Sequence, residues 1–304
     1  MNSFCASMVT IDEGKVFIQH LNGFANLTVS MLRLDELHPV ISGNKWYKLK
    51  HNLLEVKEKK LAGVLTLGGA WSNHLAATAG AAKEAGVKAV AIVRGFHGKE
   101  SLTPTLQHCM DDGMELQFVS REEYSLKEDP VYLRTLQEKY PHFLIIPYGG
   151  RNEAGRKGAA EIATLIPSDY THVCCSVGSG TTFMGLRNTL PSATKLIGFV
   201  PMKKGIYLKE EMQPHLSAPY GGNWELVDEF HFGGFGKWNV ELLGFMNEIV
   251  TVHQLPLDVV YTSKMMYGVR ALIQRDFFPI NSKILCVHSG GLQGNASVAQ
   301  QLIF

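Results

Sequence analysis

The stretch Val64-Leu65-Thr66-Leu67-Gly68-Gly69-Ala70-Trp71-Ser72-Asn73-His74 decides the fold. Four apolar or β-branched residues in a row read as a short strand buried on both faces, and the two glycines stop it. Ser72 or Asn73 then offers a side-chain oxygen to the first turn of a helix, which the alanine-rich run 73–85 continues. Gly86 ends that helix and residues 87–93 turn apolar again. Strand, helix and strand within about thirty residues make a βαβ unit, and its strands must be parallel.

The same alternation extends outward in both directions. A helix over 103–112, a strand over 116–119, a charged helix over 124–139 and a strand over 143–146 complete a first set. Tyr148-Gly149-Gly150-Arg151-Asn152 reads as a crossover. Beyond it the pattern predicts a helix over 155–165, a strand over 173–177, a helix over 181–190 and a strand over 196–200. A helix near 208–213, a strand over 226–229, helices over 238–250 and 263–275, a strand over 284–288 and a terminal helix follow. The expected fold is α/β, with two open, mostly parallel sheets and helices on both faces. A small lobe, residues 49–153, is expected as an insertion in a larger one made of 1–48 and 154–304. A site between such lobes lies at the carboxyl ends of the strands.

Bulk properties narrow the function. The chain has 304 residues, 45% hydrophobic and 19% charged, enough for a large core and two lobes. A net charge of +1 provides no basic field for a polyanion, so nucleic acid is not an expected partner. No apolar run approaches the ~18 residues of a membrane span. The first twenty residues contain Asp12, Glu13 and Lys15 in place of a continuous apolar core, so neither a secretory signal nor a membrane partner is expected. Five cysteines without a C-x-x-C pair suit reduced thiols in a cytoplasmic protein. The histidines are scattered, with no H-E-x-x-H and no Cys/His cluster, so no metal is expected. A serine hydrolase would need a G-x-S-x-G elbow, which is absent.

Four places carry candidate chemistry. In Ser42-Gly43-Asn44-Lys45-Trp46-Tyr47-Lys48, Lys45 follows a Gly-Asn turn and is read as sitting just before a helix. A lysine held at such a boundary and desolvated loses basicity and becomes a nucleophile. Alone, it reads as one more surface lysine. Val177-Gly178-Ser179-Gly180-Thr181-Thr182 follows an apolar strand and opens a helix, as anion-binding loops do. A dinucleotide would need a third glycine before Gly185 and an acid where Pro201-Met202-Lys203-Lys204 stands. No Gly-Lys-Ser/Thr marks a P-loop, so a single phosphate monoester is left. Ser72-Asn73-His74 serves equally well as a helix cap or as a binding point for a small carboxylate or a phenolic oxygen. Tyr261 is either a core aromatic or one face of a slot for a flat ring.

Taken in order, five motifs carry a likeness: Gly43-Asn44-Lys45-x-x-Lys48-Leu49, Gly68-Gly69-x-x-Ser72-Asn73-His74, Gly178-Ser179-Gly180-Thr181, Tyr261-Thr262-x-Lys264 and His288-x-Gly290-Gly291. From about residue 30 to its end, the chain resembles the 1-aminocyclopropane-1-carboxylate deaminase/D-cysteine desulfhydrase family. That family is part of the tryptophan-synthase-β-like group (fold type II) of pyridoxal 5'-phosphate enzymes. The resemblance implies that Lys45 forms the Schiff base with the cofactor and moves the proton at Cα. It implies further that residues 178–182 hold the phosphate, Asn73 the ring 3-oxygen and Thr262 the pyridine nitrogen, with Tyr261 stacked near the ring. Ser72, Asn73, His74 and Phe235 are then expected around a small amino-acid substrate, and the assembly is expected to be a homodimer.

Two departures distinguish activities within that resemblance. The deaminases carry a carboxylate where this chain has Thr262, and a neutral hydroxyl is expected to leave the ring nitrogen largely unprotonated. Phe235, in Gly234-Phe235-Gly236-Lys237-Trp238-Asn239, lacks the hydroxyl of the family's second active-site tyrosine. The expected reaction is therefore α,β-elimination on a D-cysteine-like amino acid, giving pyruvate, ammonia and sulfide. Ring opening of 1-aminocyclopropane-1-carboxylate to 2-oxobutyrate and ammonia is the alternative. Racemisation, β-replacement and cofactor carriage without turnover are further ones.

Overall fold

In the computed structural model, residues 9–24, 27–96, 101–216 and 222–304 are described. Cys5 and the first part of the segment read for a secretory signal lie outside them. The first strands are β1 (Ile18–Leu21) and β2 (Thr28–Arg33), followed by helix α1 (Asn44–Glu58). The deciding stretch folds as β3 (Gly63–Gly68), α2 (Asn73–Ala85) and β4 (Lys88–Arg94). Ser72 is the cap, its Oγ accepting from the Leu75 N–H at 3.3 Å, and Gly86 closes the helix at φ 67°. Helix α3 (Pro104–Asp111), strand β5 (Met114–Val119), helices α4 (Arg121–Ser125) and α5 (Pro130–Lys139) and strand β6 (Phe143–Ile146) complete a four-stranded parallel sheet in the order β5-β4-β3-β6.

The rest of the chain builds a second sheet. Helix α6 (Glu153–Glu161) leads to β7 (His172–Ser176), then α7 (Thr181–Arg187), β8 (Lys195–Phe199), α8 (Leu208–Met212) and β9 (Trp224–Val227). Helices α9 (Val240–His253) and α10 (Thr262–Gln274) and strand β10 (Lys283–His288) follow. The order is β1-β2-β10-β7-β8-β9, parallel except for the β1–β2 pair. The fold is thus α/β with two mostly parallel sheets, as expected. Helix α1 packs on α2 and α6, and one apolar core runs from β2 and β10 through these helices to β3. The helices approach closely: a Cβ on Gly158 would stand 1.7 Å from the Tyr47 carbonyl oxygen.

Several expected elements differ, each for a local reason. The single charged helix over 124–139 is two helices. Asp129 caps the second by accepting from the N–H groups of Val131 and Tyr132, both at 2.9 Å, and Pro130 takes its first position. The segment expected as a helix over 155–165 starts at Glu153 and tightens to a 3-10 turn over Ile162–Leu165. The terminal helix is 3-10 over Leu292–Gln301. Strands β1 and β2 were not expected at all. Lys45 also moves: Gly43, at φ 66°, is the cap, so Lys45 lies within the first turn of α1 instead of before it.

Candidate active site

Loops at the carboxyl ends of β3, β7 and β10 converge near the start of α1. Gly43 is pressed so closely on the loop after β10 that a Cβ there would lie 2.0 Å from the Ser289 carbonyl oxygen. Gly291 in that loop faces the loop after β3, where a Cβ would lie 2.5 Å from Asn73 Nδ2. The loops at the carboxyl ends of the two sheets therefore meet through small residues, and α1 begins beside them.

Lys45 is tied to the loop after β7 through its neighbour. Its Nζ donates to Asn44 Oδ1 at 2.6 Å, and Asn44 Nδ2 donates to Thr182 Oγ1 at 2.7 Å. Loss of water lowers the Lys45 amine from 10.5 to about 8, against the opposing pull of the buried carboxylate of Asp258. One turn on, Lys48 is buried, and its Nζ donates to the Gly149 carbonyl at 3.2 Å. The same carbonyl accepts from Ser179 Oγ at 3.2 Å, so Lys48 stands beside the loop. Burial, then the charge of Lys45, lowers its amine to about 7. In the sequence Lys48 stands out only as part of a motif. Its i+3 spacing from Lys45 puts both on one helix face, and that was the available signal.

The loop itself is built from glycines and hydroxyls. Gly180 adopts φ 78°, and Ser179 Oγ lies 3.0 Å from Thr181 Oγ1. Among the described residues, no main-chain carbonyl accepts from the N–H groups of Gly178, Ser179 or Gly180. Tyr261 lies against it, its ring 3.1 Å from where a Gly178 Cβ would be. Phe235 meets Tyr261 edge-on at 5.8 Å and 72°. Lys264 holds the Phe235 loop by donating to the carbonyls of His231 and Gly234, both at 2.9 Å.

On the other sheet, Asn73 Oδ1 is buried without a partner among the described residues, whereas Ser72 is engaged as a helix cap. His74 has a fixed tautomer. Thr66 Oγ1 gives its only proton to the Ile146 carbonyl at 2.8 Å, so His74 Nε2 must donate to that hydroxyl at 2.9 Å. His74 Nδ1 is then a bare acceptor, buried and without a partner among the described residues. Burial, then the charges of Lys48 and Lys45, push the imidazole down to about 3, so it stays neutral. Thr262 is fully enclosed at the start of α10, its hydroxyl bonded to Asp258.

With this geometry in view, known proteins can be compared. No family model matches the chain. A putative 1-aminocyclopropane-1-carboxylate deaminase of Thermotoga maritima is 28% identical over 94% of this chain and 96% of its own length. A bifunctional D-cysteine desulfhydrase/1-aminocyclopropane-1-carboxylate deaminase of Arabidopsis thaliana is 28% identical, over 90% and 75%. The crystal structure of an ACC deaminase homologue superimposes with a TM-score of 0.81 at 26% identity, covering 99% of this chain and all of that one. Over most of its length the chain is thus similar to proteins named 1-aminocyclopropane-1-carboxylate deaminase and D-cysteine desulfhydrase. An O-acetylserine dependent cystathionine β-synthase from Helicobacter pylori, at a TM-score of 0.65 and 17% identity, shares the fold.

Members of the deaminase/desulfhydrase family are pyridoxal phosphate-dependent lyases. The donor set here fits that cofactor. Three open main-chain N–H groups, the nearby hydroxyls and the Lys48 amine make a cradle for a phosphate dianion. A weakly basic amine stands one residue from the Asn44–Thr182 link to that cradle, and an unpartnered amide oxygen waits at Asn73.

Proposed function

We propose that this chain is a pyridoxal phosphate-dependent lyase that eliminates a leaving group from Cβ of a small amino acid, with D-cysteine the foremost substrate. The observation that carries this is the bonded path from Lys45 through Asn44 to Thr182. It joins a part-exposed, weakly basic lysine to a loop shaped for a monophosphate. In this reading residues 178–182 and Lys48 bind the phosphate, Asn73 the ring 3-oxygen, and Tyr261 one face of the ring. When bound, the cofactor supplies an electron sink for the bonds at Cα.

The chain's own residues do the rest. The Lys45 amine anchors the cofactor and then takes the Cα proton, a task suited to a group whose pKa has been brought near neutrality. Ser72 faces the substrate carboxylate. His74, fixed as an acceptor at Nδ1, faces a donor such as the substrate amine and cannot serve a carboxylate. Tyr261 covers the apolar side, with Phe235 edge-on against it. Once the Cα proton and the Cβ thiolate have left, hydrolysis of the remaining enamine gives pyruvate and ammonia. A homodimer in a reducing, cytoplasmic compartment belongs to the same proposal, and the four described cysteines are free and buried.

A second reaction has support in the relatives named putative 1-aminocyclopropane-1-carboxylate deaminase. Steady-state assays separate the two: sulfide from D-cysteine is expected to exceed 2-oxobutyrate from the cyclopropane amino acid. The reverse ratio would make ring opening the main activity. For the site, borohydride reduction of the loaded protein should fix the cofactor to Lys45, seen by peptide mass. Lys45→Ala should lose both the adduct and all product. An adduct on another lysine would overturn the assignment.

A further inference from the structure

Asp258 is a buried carboxylate to which the proposed reaction gives no task. Its side chain accepts four hydrogen bonds, all from the chain just ahead of α10 and at its first residue. Oδ1 takes the N–H groups of Val260 at 3.0 Å and Tyr261 at 2.8 Å. Oδ2 takes the Thr262 N–H at 2.8 Å and the Thr262 hydroxyl at 2.6 Å. The Asp258 N–H in turn donates to Thr262 Oγ1 at 2.8 Å. Each of the carboxylate's four partners is a donor, the pattern of an ionised group.

The direction of these bonds determines what Thr262 can offer. A hydroxyl has one proton and two lone pairs. The proton is committed to Asp258 Oδ2, in the charge-assisted bond that is the stronger kind. One lone pair is taken by the Asp258 N–H. A single lone pair is left, so towards any further partner Thr262 is an acceptor only. An unprotonated pyridine nitrogen is also an acceptor, and two acceptors repel. A pyridinium N–H satisfies the lone pair.

Resting on the cofactor assignment above, we propose that Asp258 is a positioning residue that fixes Thr262 as an acceptor, and that the pair holds the cofactor's ring nitrogen in its protonated form. The Asp258 charge acts on the rest of the site as well: burial lowers the amines of Lys45 and Lys264, each to about 8, and the Asp258 charge opposes that fall. A neutral threonine thus delivers the effect of a carboxylate placed one bond further back. The expectation of an unprotonated nitrogen, drawn from the threonine alone, is thereby reversed. Position 262 ceases to argue against ring opening.

The test is the nitrogen-15 resonance of ring-labelled pyridoxal phosphate in the loaded protein at neutral pH. The wild-type signal is expected at the pyridinium position. Asp258→Asn presents an NH2 group to Thr262 and frees the hydroxyl proton for the ring, so the signal should move to the unprotonated position. Thr262→Val keeps the three main-chain bonds to Asp258 and removes only the hydroxyl. It should give the same move, and it decides the matter if Asp258→Asn fails to fold. A wild-type nitrogen at the unprotonated position, or a Thr262→Val nitrogen still at the pyridinium position, would overturn the proposal. If borohydride fixes the cofactor on Lys45 while the nitrogen is unprotonated, this inference alone fails. If no cofactor is fixed there, the assignment beneath it fails too.

Discussion

Two lysines one helical turn apart have been given different work by burial. Lys45 at about 8 is a usable nucleophile near neutrality, whereas Lys48 is poised beside an anion-shaped loop. The sign for Lys45 is simple. Below its pKa the amine is protonated and cannot attack an aldehyde, so trappable attachment of pyridoxal phosphate should fall as pH drops through about 8. A midpoint near the ordinary 10.5 would mean a solvated amine and no special role. Lys48→Met removes a charged hydrogen-bond donor, worth ~1.5–3 kcal/mol, so affinity for pyridoxal phosphate should weaken about 10- to 100-fold. Affinity for pyridoxal, which lacks the phosphate, should hardly change. An equal loss for both ligands would place Lys48 elsewhere in the chemistry. No sequence pattern shows that Lys48 is buried, because what covers it includes Gly149 and Gly150, far along the chain.

Elements were legible where propensity and tertiary packing agree. Helix α2 begins at Asn73 and ends at Ala85 because Ser72 caps it and Gly86 stops it, and both signals are local. The 124–139 helix was misread because charged residues continue across Asp129-Pro130, although that pair is itself a start signal. Strands β1 and β2 escaped notice because Gln19, His20 and Ser30 interrupt their apolar pattern, and only the pairing of β1 with β2 and of β2 with β10 makes them strands. The close crossing of α1 and α6 was equally invisible, and it supplies a test. Gly158→Ala must push the helices apart at the Tyr47 carbonyl, and should cost about 1–3 kcal/mol by thermal or urea melting. Gly244→Ala, in α9 with nothing within 4 Å, should gain about 0.5–1 kcal/mol. If both substitutions behaved alike, helix propensity would outweigh packing at the crossing.

At the scale of the whole molecule, the candidate site lies where loops at the carboxyl ends of strands in both sheets converge. That arrangement was readable from the alternation of strands and helices and from the order of the glycine motifs. What the edges do to a substrate was not readable, since it depends on loops whose positions the fold decides. The loop carrying Phe235 is the main case. Lys264 fastens its backbone from within the larger sheet's helix layer, and Phe235 then lies edge-on to Tyr261 while 57% of it is exposed. On the proposed role of Asp258, Phe235 is the departure left to set elimination against ring opening. A tyrosine is expected to be accommodated there, because the residue is more than half exposed. Phe235→Tyr should therefore raise 2-oxobutyrate formation from 1-aminocyclopropane-1-carboxylate relative to sulfide release from D-cysteine, by about 10-fold for one well-placed hydroxyl. Cofactor content and melting temperature should be unchanged, since the substitution touches neither the 178–182 loop nor the core. Ratios that stay fixed, measured as kcat/KM for the two substrates on one preparation, would show that the choice between reactions is made elsewhere than at position 235.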